Sequence, residues 1–183
     1  NRVVWSQGMF MLPQHFQQND RYVENLVNGR CLGLRPYGWG FYTLQVDHDL
    51  LRIGKLGLKE CRGIFPDGTP FNLPEDSPLP VPLDIPEGIH NEAAFLALPL
   101  RRRGSGEVDG DHDPHVLARF RIEEREVKDH NCGAEGRAPL QVGVLKTRLL
   151  LEREERSGHA CLGVARVVEM SVNRNVELEA GYI

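Results

Sequence analysis

Val116-Leu117-Ala118-Arg119-Phe120-Arg121-Ile122-Glu123 is the stretch that decides the fold class. Val116, Ala118, Phe120 and Ile122 alternate with Leu117, Arg119, Arg121 and Glu123 in nearly clean period two. A strand sends successive side chains to opposite faces, so this spacing builds one apolar and one polar face on a strand, not on a helix. Tyr42, Leu44 and Val46 alternate in the same way with Thr43, Gln45 and Asp47, and Leu96, Leu98 and Leu100 form a shorter run. Leu140 to Leu151 and Ala160 to Met170 are two more β-like runs, either side of a charged turn, Glu152–Gly158, that ends in Ser157-Gly158. That pattern predicts a hairpin. Val176 to Ile183 is expected to add a last strand, cut short.

Only one segment has a convincing helical period. Pro13 opens it, because proline lacks the N–H that the first helical turn leaves unpaired. Phe16, Val23, Leu26 and Val27 then fall on one face, with Gln17, Asp20, Arg21 and Glu24 elsewhere. The helix is predicted over 13–28, with Gly29 as its stop. Residues 1–12 read as an extended arm or a first strand. Pro66 to Pro86 contains seven prolines and the turn Pro66-Asp67-Gly68, which predicts an extended loop. Gly104 to Pro114 reads as a Gly/Asp-rich loop. The expected architecture is mainly β: an antiparallel β-sandwich or barrel-like domain with one N-terminal α-helix.

Composition narrows the function. The chain has 183 residues, 40% of them hydrophobic, enough to form a core without a metal or disulfide staple. Its 22 basic against 26 acidic residues give a net charge of −4, which argues against nucleic-acid binding. No apolar run approaches the ~20 residues that span a bilayer. Trp5 to Phe16 is interrupted by Gln7, Pro13 and Gln14, so no signal segment is expected there. Cys31, Cys61, Cys132 and Cys161 are too far apart for a CxxC pair. They read as four reduced thiols of a cytoplasmic protein, with two bridges in an exported protein as the alternative.

Chemistry-bearing clusters are sparse. Asp109-Gly110-Asp111-His112-Asp113-Pro114-His115 is the most metal-like stretch, but it lacks the glutamate and paired helices of a calcium loop. It reads first as a solvated acidic loop, and a small metal-dependent enzyme using Asp111, His112 and His115 is the outlying alternative. Gly104-Ser105-Gly106 is not a nucleophile elbow, and Asp47-His48-Asp49 reads as a turn. Arg101 to Arg103, and Arg119 with Arg121, read first as a solvated strand edge and face, with binding of phosphate or an acidic protein as the alternative. No nucleophile, base and oxyanion donor can be assembled, so no catalytic, cofactor or metal residues are assigned, and a binding or structural domain is expected in preference to an enzyme.

Trp5-Ser6-Gln7-Gly8-Met9-Phe10-Met11-Leu12-Pro13-Gln14-His15-Phe16-Gln17-Gln18 resembles the amino-terminal signature of the TssK family, baseplate subunits of the bacterial type VI secretion system. Tyr37-Gly38-Trp39-Gly40, Asp49-Leu50-Leu51, Phe65-Pro66-Asp67-Gly68-Thr69 and Leu96-Ala97-Leu98-Pro99-Leu100 follow in the family's order. Gln7 departs from it, standing where many members carry an acidic residue. The resemblance implies a non-catalytic adaptor without a cofactor. It implies a fold similar to the shoulder domain of siphophage receptor-binding proteins, with residues 1–183 as one amino-terminal domain of a longer protein. It also implies docking of a homotrimer onto the wedge subunits TssF and TssG. Later parts of the protein would form the stalk and meet the membrane complex of TssJ, TssL and TssM. A phage-tail-like receptor-binding component of the same lineage is the alternative.

An arm carrying Trp5, Met9, Phe10, Met11 and Leu12 has too few polar residues to lie free in water. It must pack on its own sandwich, on a neighbouring protomer or on a partner. Trp5, Met9, Phe10, Leu12, Gln14, His15, Phe16 and Gln17 are the candidate trimer or wedge contacts. Trp39, between two glycines, is expected to anchor a core at the start of a strand.

Overall fold

In the computed structural model, residues 1–102, 106–109, 117–129, 131 and 136–182 are described. The elements in chain order are α1 (Pro13–Leu34), β1 (Gly40–Val46), α2 (His48–Leu51), β2 (Lys55–Leu56), β3 (Leu58–Ile64), β4 (Pro70–Leu73), β5 (Leu83–Asp84), β6 (His90–Pro99), β7 (Val108–Asp109), β8 (Phe120–Lys128), β9 (Arg137–Leu145), β10 (Arg148–Leu151), β11 (His159–Met170) and β12 (Val176–Leu178). They fall into two compact units, residues 1–39 and the rest of the chain from Gly40.

The β unit is built from two principal sheets. One has the order β1-β3-β4 and the other β10-β6-β11-β12, with antiparallel neighbours throughout. Their facing sides share one core. Cys61, Phe71 and Leu73 come from the first sheet, and Ala94, Leu96, Leu98, Leu149, Leu151, Leu162 and Val164 from the second. Phe65 and Phe71 fill the centre, with ring centroids 4.6 Å apart. A sandwich of this kind follows from the period-two pattern, because each sheet has one apolar face to bury. A two-stranded β2-β5 pair and the β7-β8-β9 ribbon complete the unit; the short β7–β8 pairing is parallel.

Several expectations are corrected. The helix passes Gly29 and Gly33 and runs to Leu34. A glycine inside a helix costs about 1 kcal/mol but does not end it; Pro36 does, holding Arg35 extended before it. The predicted strand at 140–151 divides: β9 pairs with β8, while β10 pairs with β6. The hairpin predicted between that run and 160–170 does not form as a pair, because β6 lies between β10 and β11. β6 is apolar over most of its length, as a central strand buried on both faces must be. The proline-rich segment contains β4 and β5, with prolines at strand ends and edges where no ladder N–H is needed. Residues 47–51 form a capped short helix: the Asp47 carboxylate accepts from Asp49 N–H at 3.0 Å. The last strand is shorter than expected, ending at Leu178. Val108–Asp109 is strand within the expected 104–114 loop.

Arg119 is the sharpest correction. It is not on a solvated face but 4% exposed, ion-paired to Asp67 and donating to the Pro99 carbonyl at 2.8 Å. Arg121, on β8, stays exposed as expected. The predicted turn at 66–69 is present: Gly68 has φ 87° and donates to the Phe65 carbonyl at 2.9 Å. Trp39 is no core anchor; it is 46% exposed and stands edge-on to Tyr37 at 6.2 Å.

Candidate functional site

Within the first unit the arm folds back on the first turn of α1. Gly8, at φ 79°, makes the turn in which Met9 N–H donates to the Ser6 carbonyl at 3.3 Å. Pro13 starts the helix, and His15 Nδ1 accepts from the Leu12 N–H at 3.0 Å. The imidazole thus fills the role that glutamate plays in a capping box, which puts its ring proton on Nε2. Trp5 stacks obliquely near the same imidazole, with centroids 6.3 Å apart. Gln18 Nε2 donates to the Asn1 carbonyl at 2.6 Å, tying down the start of the chain.

The polar members of the signature therefore hold the arm, and its apolar members are presented outward. Phe10 is 83% and Trp5 48% exposed; Met11, Leu12 and Phe16 are exposed too. Met9 and His15 are half-buried, and Gln14 and Gln17 are exposed. Within the first unit itself the arm finds no enclosed core. No residue of α1 is buried, and Val23, Leu26, Val27, Leu32 and Leu34 extend the apolar surface along the helix. Phe16, Val23, Leu26 and Val27 were legible as a stripe, whereas Leu32 and Leu34 lie past the predicted end of the helix, and nothing local says whether a stripe faces a core or the outside. Contiguous exposed apolar surface gains free energy when something covers it.

The other candidates carry less. Asp109 is buried against Lys146 at 2.7 Å, and the rest of the 109–115 metal candidate lies outside the described residues, as does Ser105 of the 104–106 motif. Among the described residues no three His, Cys, Asp or Glu side chains gather as a metal site. Cys31, Cys61 and Cys161 are free thiols; Cys132 lies outside the described residues. Burial, with the Glu60 charge beside it, pushes the Cys61 thiol up to about 12. No described helix is long and apolar enough to cross a membrane.

Fold and arm together define an antiparallel β-sandwich protein with an apolar helical arm. The chain belongs to the TssK family of type VI secretion baseplate components. The family model described as "Bacterial Type VI secretion, VC_A0110, EvfL, ImpJ, VasE" matches residues 15–183. The chain is 45% identical over 183 residues to the type VI secretion system baseplate component TssK1 of Pseudomonas aeruginosa, covering 100% of this chain and 41% of that protein. A crystal structure of TssK superposes with a TM-score of 0.92 at 40% identity, over 98% of this chain and 40% of that one. A chain in the cryo-electron microscopy structure of a TssK–TssF–TssG baseplate subcomplex has the same fold, with a TM-score of 0.88 at 22% identity, covering 100% of this chain and 61% of that one. The chain thus spans 41% of the curated relative it matches.

Proposed function

We propose that this chain is the wedge-docking part of a type VI secretion baseplate adaptor, acting by binding rather than by catalysis. The observation that carries the reading is the outward apolar surface of Trp5, Phe10, Met11, Leu12 and Phe16, held in place by Pro13, His15 and Gln18. A surface that is both apolar and locally braced binds without first having to be ordered. Family membership supports TssF and TssG as partners, since a solved relative of the same fold comes from a complex with both. In this reading residues 1–183 are one amino-terminal domain. The adaptor is a homotrimer on the cytoplasmic side, and parts beyond this chain reach TssJ, TssL and TssM.

The test is co-expression of this chain with TssF and TssG of the same bacterium, followed by pull-down. Capture of the pair by the unmutated chain, lost in a folded Trp5→Ala/Phe10→Ala variant, is the expected result. Undiminished capture by that variant would remove the arm from the interface. Capture of neither subunit by a folded trimer would favour the phage-tail-like alternative.

A further inference from the structure

The outer face of the β10-β6-β11 sheet, away from the core, carries a concentration of positive charge. Arg148 and Cys161 both register against Ala97, and His159 registers against Pro99, so Arg148, His159 and Cys161 share that face with Phe95. Arg156 arches over it, its guanidinium carbon 4.2 Å from the Phe95 ring centroid. Arg102 lies against Gly158, in the turn that leads into β11. Three arginines and a histidine thus converge on an apolar floor.

The carboxylates nearest in sequence are held by backbone N–H groups, with Glu155 also near enough to His159 for their charges to interact. Glu152 accepts from Ala93 N–H, Glu154 from Leu151 N–H and Glu155 from Ser157 N–H. Glu92 holds Arg153. Among the described residues none forms an ion pair with Arg102, Arg148 or Arg156.

A buried donor in the cluster also lacks an acceptor. Arg148 Nη2 contacts His159 Nε2; a guanidinium can only donate, so Nε2 accepts and the ring proton sits on Nδ1. Arg148 Nε is buried without a partner, while the His159 ring has the Arg156 and Ser157 carbonyls beside it. Burial, with Arg148 and Arg102 beside it, holds the imidazole below its ordinary range. An unpaired buried donor and clustered like charge are each unfavourable, and one negatively charged acceptor relieves both.

We propose that Arg102, Arg148, Arg156 and His159 form an oxyanion-binding site, taking a carboxylate or phosphate group on the Phe95 face of this sheet. The site is separate from the arm and does not depend on the docking reading.

The probe is inorganic phosphate, titrated at constant ionic strength while the His159 imidazole resonance is followed by NMR. A saturable shift is expected, with the His159 midpoint moving up as the anion binds. Arg148→Gln and Arg156→Gln should each weaken binding about tenfold, the weight of one charge-assisted hydrogen bond. Arg21→Gln, in α1, should leave it unchanged. Arg156 sits at the rim over Phe95, so its variant decides the matter if the Arg148 variant fails to fold. No saturable shift, or one that survives intact in the folded variants, overturns the proposal. A glutamate-rich hexapeptide in competition identifies the source: displacement of phosphate assigns a protein carboxylate, and failure to displace it assigns a phosphate group.

Discussion

Arg119 Nη2 lies 2.9 Å from Asp67 Oδ2, and the arginine is almost fully enclosed. The same guanidinium bonds to Thr69 Oγ1 and to the Pro99 carbonyl, so one side chain ties the 66–69 turn to the end of β6 and the start of β8. Removing its carboxylate leaves a buried charge uncompensated. Asp67→Ala should therefore cost about 3 kcal/mol in urea unfolding. Adding Arg119→Met to that variant should recover part of the loss, because the buried charge is then gone as well.

Two glycines should respond in opposite directions. A Cβ at Gly63 would stand 2.1 Å from the Gly40 carbonyl oxygen and 2.9 Å from Phe71 Cζ. Backbone cannot yield there, and Gly63→Ala should destabilise by about 3 kcal/mol. A Cβ at Gly29, inside α1, meets nothing. Gly29→Ala should raise helix stability by about 0.5–1 kcal/mol, measured by thermal melting of the first unit's circular dichroism.

Glu92 receives Arg153 Nε at 2.8 and 2.7 Å and the Arg153 N–H at 3.0 Å. The hydrogen bond from the Arg153 side chain holds the Glu92 carboxyl below its ordinary value of 4.5. A folded-state value depressed in this way contributes stability above the unfolded value, and the contribution is lost as pH falls through the folded one. Urea midpoints of the wild-type chain should drop below about pH 4.5. Glu92→Gln should be less stable at neutral pH and show a flatter acid limb.

Thiol labelling should follow burial. Cys31 is exposed on α1 and should react with a thiol reagent in the native chain. Cys61, buried with its thiol pushed up to about 12, should react only on unfolding. Mass spectrometry of peptides labelled with and without urea distinguishes the two.

Arm and core should separate in stability. Phe10→Ala removes a side chain that is already in solvent and should shift the unfolding free energy by no more than about 0.5 kcal/mol. Leu96→Ala, in the fully enclosed centre of β6, should cost about 2–5 kcal/mol.

The strand content was legible because alternation is local. Leu44 and Val46 pack on the core and Leu96 and Leu98 are within it, as their spacing requires, but Tyr42, at a register shift in β1, and Leu100, past the end of β6, are exposed. The 66–69 turn was legible because Gly68 alone meets the positive φ there. The hairpin expected around 152–158 was wrong for a non-local reason. Its two runs are adjacent in sequence, but the apolar β6 has two faces to cover and takes the position between them. The helix end was misplaced because glycine permits a stop without imposing one, whereas Pro36 imposes it.

The sequence alone determined that the chain is mainly β, where its one long helix begins, and that residues 5–18 are its most distinctive stretch. Each depends on the period, composition or chemistry of neighbouring residues. Only the tertiary structure decided that Arg119 is buried against Asp67, and that Arg102, Arg148, Arg156 and His159 share one face. Those outcomes depend on which distant strands pair, and a charge reads the same in sequence whether the fold leaves it in water, matches it with a carboxylate or gathers it with others like itself.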